Sequence, residues 1–567
     1  MIESAYLEHL ETLWSKSWPA GKSRTPQYPL GEQPLFEYLR HWARKVPHKP
    51  AIEFYGYRLT FSELDDLSDR FAALLHDLGV VAGDRVAVFM PNCPQFNIAY
   101  WGIMKAGAVH VPVSPLSKDL ELRHELGDAR PKAVLCFDAL LPLTRPVCDD
   151  LGIEHVLITS YAELKPASPT IPLPDFFDLP KTRATEREID FFEALGKVSV
   201  RKDISAPQLD DIAALNYTGG TTGLPKGCIH THRNILYTMA SYYPTVFGSQ
   251  DETQDTVQLS FLPQFWIAGE NTGVLMPVFS GNTLVLMARW DAHAFMKGVQ
   301  HYGVNQSFML VDNIDDVLNQ PDLERFNLTS IDVTPCVSFI KKLNPDYRRR
   351  WREQTGSILF EAAFGMTETH TCDTFTRGFQ DDDFDLSFDP SFVGLPVPGT
   401  EIKIADFKTG ELKPLGEEGE INLRTPSLLK GYWDKPDLNN DLFDNGWFKT
   451  GDLGLITEDG FLRYLGRRKE MLKVNGMSVF PTELESLIGR HPDIAACGVV
   501  GRKDQKKGQV PVAFIILKPD SAETSESLRS WCFEVMSVYK VPEIRLMDSL
   551  PMTATGKIIK TELEQML

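Results

Sequence analysis

The chain has 567 residues, 43% of them hydrophobic and 24% charged, with a formal net charge of −19. That length exceeds one ordinary core and implies at least two domains, and the negative charge weighs against a nucleic acid or an anionic membrane as partner, since both select a basic face. Eight scattered cysteines without CxxC spacing point to reduced thiols rather than disulfides or zinc, and no apolar run reaches the roughly 18 residues of a membrane span.

The first stretch, "MIESAYLEHLETLW", places Leu7, Leu10, Leu13 and Trp14 on one helical face, as in a helix docked on a larger body. It lacks the basic and apolar regions of a signal peptide, so a cytoplasmic protein is the expectation. "TFSELDDLSDRFAALLHDLG" reads as a helix capped at Thr60 or Ser62 and ended by Gly79. "RVAVFMP", "QFNIAYWGIMKAG" and "VHVPV" follow as strand, helix and strand, a βαβ rhythm that predicts a parallel sheet covered by helices. The rhythm returns at "KAVLCF", "EHVLIT", "DTVQLSFLP" and "GNTLVLM". "QDDDFDLSFD" (380–389) is acidic and reads as a solvated loop.

From about Thr400 the texture changes to short, Gly-punctuated strands, "TEIKIAD", "GEINLR" and "GFLRYLGR", as in a small barrel-like region. "PTELESLIGRHP" then predicts a capped helix, and "IAACGVVG" and "VPVAFIIL" two strands of a compact final domain. The expected architecture is α/β. A large domain (1–466) combines parallel-sheet subdomains with the barrel-like region, and a small mobile α+β domain (467–567) follows.

Five stretches carry chemistry. "NYTGGTTGLPKG" (216–227) is a ribbon of backbone N–H groups and hydroxyls with one cation, suited to a polyanion. It is not a P-loop, because Gly227 follows Lys226 where Ser or Thr is required. "FEAAFGMTET" (360–369) offers an aromatic that can stack on a flat base and a Thr-Glu pair able to ligate Mg²⁺ through oxygen. "WFKTGDLG" (447–454) places Asp452 after a tight turn, where it can accept two ribose hydroxyls. "YLGRRKEMLKVNG" (464–476) offers Arg467 to the same sugar or to a phosphate. "PMTATGKI" (551–558) presents Lys557 on a turn. Singly, each is more often a surface turn than a site.

In this order, and with "KAGAVHVPV", "GLPVPGTEIKI" and "LLKGYWDKPD" between them, they resemble the adenylate-forming superfamily of acyl-CoA synthetases, aryl-CoA ligases, luciferases and adenylation domains. The resemblance runs from about Leu35 to Ile558. It implies activation of a carboxylate by ATP, then transfer from acyl-AMP to a thiol such as CoA. It further implies that Thr218, Gly220, Thr221, Thr222, Gly223 and Lys226 line a phosphate loop. Phe364 and Gly365 would lie near adenine, and Thr367 would touch the α-phosphate. Thr221 and Glu368 would serve Mg²⁺, and Asp452 and Arg467 the ribose. Lys557 would bridge carboxylate and α-phosphate in the first step. Lys469 falls at the family's hinge, about which the small domain swings to bring in the 473–477 segment.

Three places depart from the family pattern. Gly219 stands where Ser is usual. "DVTP" (332–335) stands where the resemblance expects the Gly-Gly-Ala-Pro stretch along adenine. Phe265-Trp266 replaces Phe-His in "FLPQFWIAGE", where Trp266 either walls the acyl pocket, together with Phe265 and Gly269, or packs in the core. The expected activity is ATP-dependent conversion of a fatty or other apolar monocarboxylic acid to its CoA thioester. The alternatives are an aryl-CoA ligase, an acyl-AMP ligase loading a carrier protein, and a non-catalytic nucleotide-binding descendant. The chain ends ten residues after Lys557, which argues against a fused carrier domain. Expected partners are the acid, ATP and CoA, with assembly as a homodimer left open.

Overall fold

A computed structural model of the chain describes residues 3–201, 203–218, 224–248, 255–339, 341–362, 364–388, 391–475, 477–504, 506–553 and 557–567. Gly219, Gly220, Thr221, Thr222 and Gly223 lie outside the described residues. Counts and absences below refer to the described residues alone.

Two mainly parallel sheets, each with one antiparallel edge pair, carry the first half of the chain. One is seven-stranded and runs, edge to edge, through Ile189–Asp190, His155–Thr159, Ala133–Phe137, Arg85–Phe89, Val109–Val113, Ile212–Tyr217 and Gly227–Thr231. Every pair in it is parallel except the last. In that antiparallel pair Tyr217 lies opposite Gly227 at the sheet edge, so the described ends of the Gly/Thr ribbon, Thr218 and Leu224 onward, meet there. The second sheet orders Gln306–Ser307, Val257–Ser260, Thr283–Leu286, Pro50–Phe54 and Tyr57–Thr60. Between the sheets lie the helices Phe61–Asp77 and Pro94–Lys105. The first is closed by a capping box in which Thr60 and Glu63 satisfy each other's backbone N–H, as the Ser/Thr-x-x-Glu spacing demands. The second is buried on every face, which explains its unbroken apolar and small-residue run.

A short parallel sheet, Met309–Leu310, Thr334–Val337 and Leu359–Glu361, leads to the acidic stretch. The acidic stretch, expected as a solvated loop, is for the most part exposed or half-buried, with Asp382 and Asp383 in left-handed backbone (φ 51° and 54°) breaking Asp381–Leu386 into two short turns. Asp385 departs from the expectation: it is buried, held by a two-pronged Arg348 guanidinium at 2.7 and 2.9 Å. A buried carboxylate is tolerated only with such a partner, and the partner, 35 residues upstream of Asp383, left no local signal.

The barrel-like region is an antiparallel seven-stranded sheet built on Phe392–Pro396, Leu462–Arg467, Trp447–Ile456, Gly419–Arg424 and Glu401–Ala405. The N-terminal helix Glu3–Ser17 docks against it, with Leu10 and Trp14 buried and the Trp14 indole donating to the Gly460 carbonyl at 2.9 Å. Beyond a one-turn helix at Arg468–Glu470, a separate five-stranded sheet begins at Leu472–Val474. It is centred on the long hairpin Ile494–Asp504 and Gly508–Leu517 and has its own apolar core. No helix is long and apolar enough to cross a membrane. All eight cysteines are buried free thiols.

Candidate active site

The cleft between the large body and the final sheet collects the charged residues singled out by sequence. Thr218 and Lys226 close the base of the Gly/Thr ribbon. The Thr218 N–H donates to the Lys226 carbonyl at 3.0 Å, and the Lys226 N–H to the Thr218 hydroxyl at 3.3 Å. The Lys226 ammonium rests 4.4 Å from the centroid of the Tyr432 ring. The Tyr432 hydroxyl in turn donates to Glu368 Oε1 at 2.8 Å. One aromatic side chain therefore ties the only described cation of the ribbon to the carboxylate of the Thr-Glu pair. Tyr432 lies in "LLKGYWDKPD", a stretch that carried the resemblance but no assigned role, and no charge or spacing pattern marked it.

The loop bearing Thr367 and Glu368 is held from several sides. Leu429 N–H donates to the Glu368 carbonyl at 2.8 Å. His230 Nε2 lies 2.9 Å from the Thr367 carbonyl, which can only accept, so the proton sits on Nε2. Burial pushes the pKa of His230 down to about 4, keeping it neutral. His370, Thr371 and Cys372 all adopt left-handed backbone, with φ of 56°, 58° and 69°. Three consecutive strained residues fold the loop back on Gly365, whose absent Cβ would meet the Cys372 nitrogen at 2.3 Å. Gly365 thus serves this close approach of backbone to backbone. Phe364 is buried, its ring centroid 5.7 Å from that of Tyr464.

Asp452 and Arg467 are opposed residues on neighbouring antiparallel strands, so sheet register alone brings them together. Arg467 Nε lies 2.9 Å from Asp452 Oδ1. Two effects oppose each other at Asp452. Its burial, joined by the nearby carboxylates of Glu368, Glu470 and Glu420, outweighs Arg467 and raises its pKa to about 7. A nearly buried carboxyl poised there gains from new hydrogen-bond donors, which a sugar diol supplies.

Lys557 reaches this cleft from the final unit. Its backbone turn is closed by Thr553, whose N–H donates to the Lys557 carbonyl at 2.7 Å. The ammonium lies 5.1 Å from the Phe339 ring centroid and 5.8 Å from that of Trp266. The Lys557 side chain is exposed overall, yet desolvation of the ammonium, reinforced by Arg467, lowers its pKa. Phe265 and Trp266 are half-buried, and Trp266 faces the cleft rather than the core. Gly269 is buried, its absent Cβ directed at the Pro263 carbonyl, only 1.9 Å away, so a tight turn requires it.

Within the stretch 332–335, Thr334 is fully buried in a sheet strand, where its hydroxyl accepts from the Trp351 indole at 3.2 Å. Beyond that strand, Phe339 comes to the cleft beside Lys557. Lys469 sits in the one-turn helix Arg468–Glu470 that joins the two units.

The assembly offers cations at two ends, a carboxylate beside a hydroxyl loop, and a buried carboxyl–guanidinium pair: binding chemistry for a nucleotide polyphosphate, with no nucleophilic dyad. Comparison with known proteins agrees. Residues 39–433 match the AMP-binding enzyme family and residues 483–557 the AMP-binding enzyme C-terminal domain. A long-chain-fatty-acid–CoA ligase of Bacillus subtilis (strain 168) is 30% identical, the match covering 95% of each chain. A 4-coumarate–CoA ligase of Oryza sativa subsp. japonica is also 30% identical, covering 94% of this chain and 92% of that one. Among solved structures, an anthranilate CoA ligase in complex with anthranoyl-AMP superposes with a TM-score of 0.81 at 26% identity, covering 94% of this chain and 97% of its own.

Proposed function

The chain belongs to the AMP-binding enzyme family, and from that premise we propose that it is an acyl-CoA synthetase acting on a fatty or other apolar monocarboxylic acid. The acid's carboxylate attacks the α-phosphorus of ATP, the bond to pyrophosphate breaks, and acyl-AMP forms. The CoA thiol then attacks the acyl carbon, releasing AMP and the thiol proton. The observation that carries this reading is the convergence of Lys557, from the final unit, with Glu368, Asp452 and Arg467 in one cleft.

Each residue has a distinct task. Thr218 and Lys226, with Gly220, Thr221, Thr222 and Gly223, grip the β- and γ-phosphates. Phe364 walls the adenine, Asp452 and Arg467 hold the ribose, and Thr367 donates to the α-phosphate. Lys557 lies between the incoming carboxylate and the α-phosphate, neutralising charge that builds as they join. The donor set suits Mg²⁺: no cluster of three His, Cys, Asp or Glu side chains among the described residues holds an ion alone, so Glu368, and Thr221, would share it with phosphate oxygens and water. Bound there, it would offset negative charge on the phosphates. The chain divides functionally near Arg467, with Lys469 as the hinge that withdraws Lys557 and brings in the 473–477 segment for the second step. The reading extends to a cytoplasmic enzyme, checked by fractionation, with light scattering deciding between monomer and homodimer.

The 4-coumarate–CoA ligase match supports a second reading, an aryl acid in the same site. Pyrophosphate release with acetate, octanoate, palmitate, benzoate and coumarate, each with and without CoA, separates the two. Release raised by CoA, with a thioester product, establishes the synthetase and its acid class. Release indifferent to CoA indicates carrier loading, and no release with any acid overturns the enzyme reading.

A further inference from the structure

We propose that Trp266 and Phe339 form an aromatic seat that positions the Lys557 ammonium for adenylate formation. The proposal rests on the reading that Lys557 serves the first step. The two rings come from separate segments, the turn before the helix Ile267–Glu270 and the continuation of strand Thr334–Val337, yet their centroids lie 5.8 Å apart with planes inclined at 45°. They form a shallow V, and Lys557 Nζ sits over both faces at 5.1 and 5.8 Å. Both distances lie within the roughly 6 Å reach of a cation–π contact. Among the described residues no carboxylate lies within ion-pair distance of this ammonium; Asp452 and Glu470 act on it only at longer range.

A ring face suits the task better than a carboxylate. It fixes where the ammonium sits without occupying any of its three N–H donors, which remain available to the α-phosphate and the substrate carboxylate. It adds no negative charge beside phosphates. The contact is also weak enough to break when the final unit withdraws. Trp266 stands at the position where this chain departs from Phe-His, which gives the substitution a physical purpose: an aromatic face where an imidazole would compete for the same anions.

The test uses the full-length enzyme and its two half-reactions. Acid-dependent ATP–pyrophosphate exchange reads the first step, and thioester formation from prepared acyl-adenylate and CoA reads the second. Trp266→Leu and Phe339→Leu, on separate segments, are each expected to slow exchange about two- to fivefold through kcat, the worth of a solvent-exposed cation–π contact, with KM for the acid little changed. The second half-reaction should keep the wild-type rate, and Trp266→Phe should recover most of the loss. In a Lys557→Ala background, Trp266→Leu should have no further effect on exchange. A rise in acid KM alone, a parallel fall in both half-reactions, or a Trp266→Leu loss that persists without Lys557 overturns the seat and makes these rings a wall of the acyl pocket. If Lys557→Ala by itself leaves exchange intact, the assignment of Lys557 fails, and the seat with it.

Discussion

Replacing Tyr432 by Phe removes one hydroxyl and leaves the ring beneath Lys226, so it isolates the hydrogen bond to Glu368 Oε1, 2.8 Å long. Hydrogen bonds to charged groups contribute about 1.5–3 kcal/mol. Tyr432 is buried at 7% exposure, but Glu368 is only half-buried, so solvent competes at one end and the lower limit applies. A loss of about 1.5 kcal/mol corresponds to roughly tenfold. The carboxylate that loses its anchor is the one assigned to Mg²⁺, so the loss should appear in ATP usage. Expected is a roughly tenfold fall in kcat/KM for ATP in pyrophosphate exchange, with half-saturating Mg²⁺ shifted upward and acid KM unchanged. Tyr432→Leu removes the ring as well and should cost a further two- to fivefold or so, the worth of an exposed cation–π contact. Wild-type exchange by Tyr432→Phe across the Mg²⁺ range, or a defect confined to the acid, would refute the reasoning.

Three other perturbations test the packing around the site. Glu270 is fully buried beside Asn216, and desolvation raises its pKa from 4.5 to about 8. The unfolded chain therefore gives up that proton first, and the wild type loses stability on the order of 1.4 kcal/mol per pH unit between about 4.5 and 8. Glu270→Gln removes this slope, so its stability advantage in urea melts should widen from about pH 5 to 8 and then level off; a constant difference contradicts the shift. Arg348→Met strands the buried Asp385 carboxylate and should destabilise by about 3–5 kcal/mol, whereas exposed Asp381→Asn should stay within about 0.5 kcal/mol. Gly365→Ala drives a methyl into the Cys372 nitrogen. It should abolish most exchange while costing about 1–3 kcal/mol, and an active, undisturbed variant would show that the 366–372 loop can shift freely.

Much of the fold was legible because its elements obey local rules. The helix start at Thr60 or Ser62, resolved as Thr60 by the structure, the βαβ spacing through Val109–Val113, and the Gly-punctuated strands of the barrel-like region each show within a dozen residues. Glu368, Asp452, Arg467 and Lys557 were singled out by residue type alone, and the structure brings them to one cleft. Not legible was who meets whom across long separations. Tyr432 meets Glu368 across 64 positions, and Arg348 meets Asp385 across 37. The Phe339 ring reaches Lys557 from a segment whose only local signal was a missing motif, and the strand pattern at 334–337 hid that it ends in the cleft.

The two ends of the substrate differ in how strongly they constrain sequence, and this explains why similarity to a fatty-acid ligase and to a coumarate ligase stands at the same 30%. Phosphates carry fixed charge in fixed geometry, so the residues that hold them must be a particular cation, hydroxyl or carboxylate at a particular place. Losing one such group leaves a partner unpaired, at several kcal/mol. An acyl chain or a ring makes only shape demands, spread over many apolar contacts, and each methylene separates competitors by about 1–3 kcal/mol. Many sets of pocket residues satisfy either acid equally well. A chain can therefore drift between the two acid classes while keeping every feature that the nucleotide end dictates. If residues of the buried helix His232–Val246 line the acid, as we propose, acid preference should respond to small changes such as Thr238→Val or Ser241→Ala there. Exchange measured at saturating acid should not respond to them. Substitutions at Glu368 or Lys557 should instead depress turnover with every acid by the same factor.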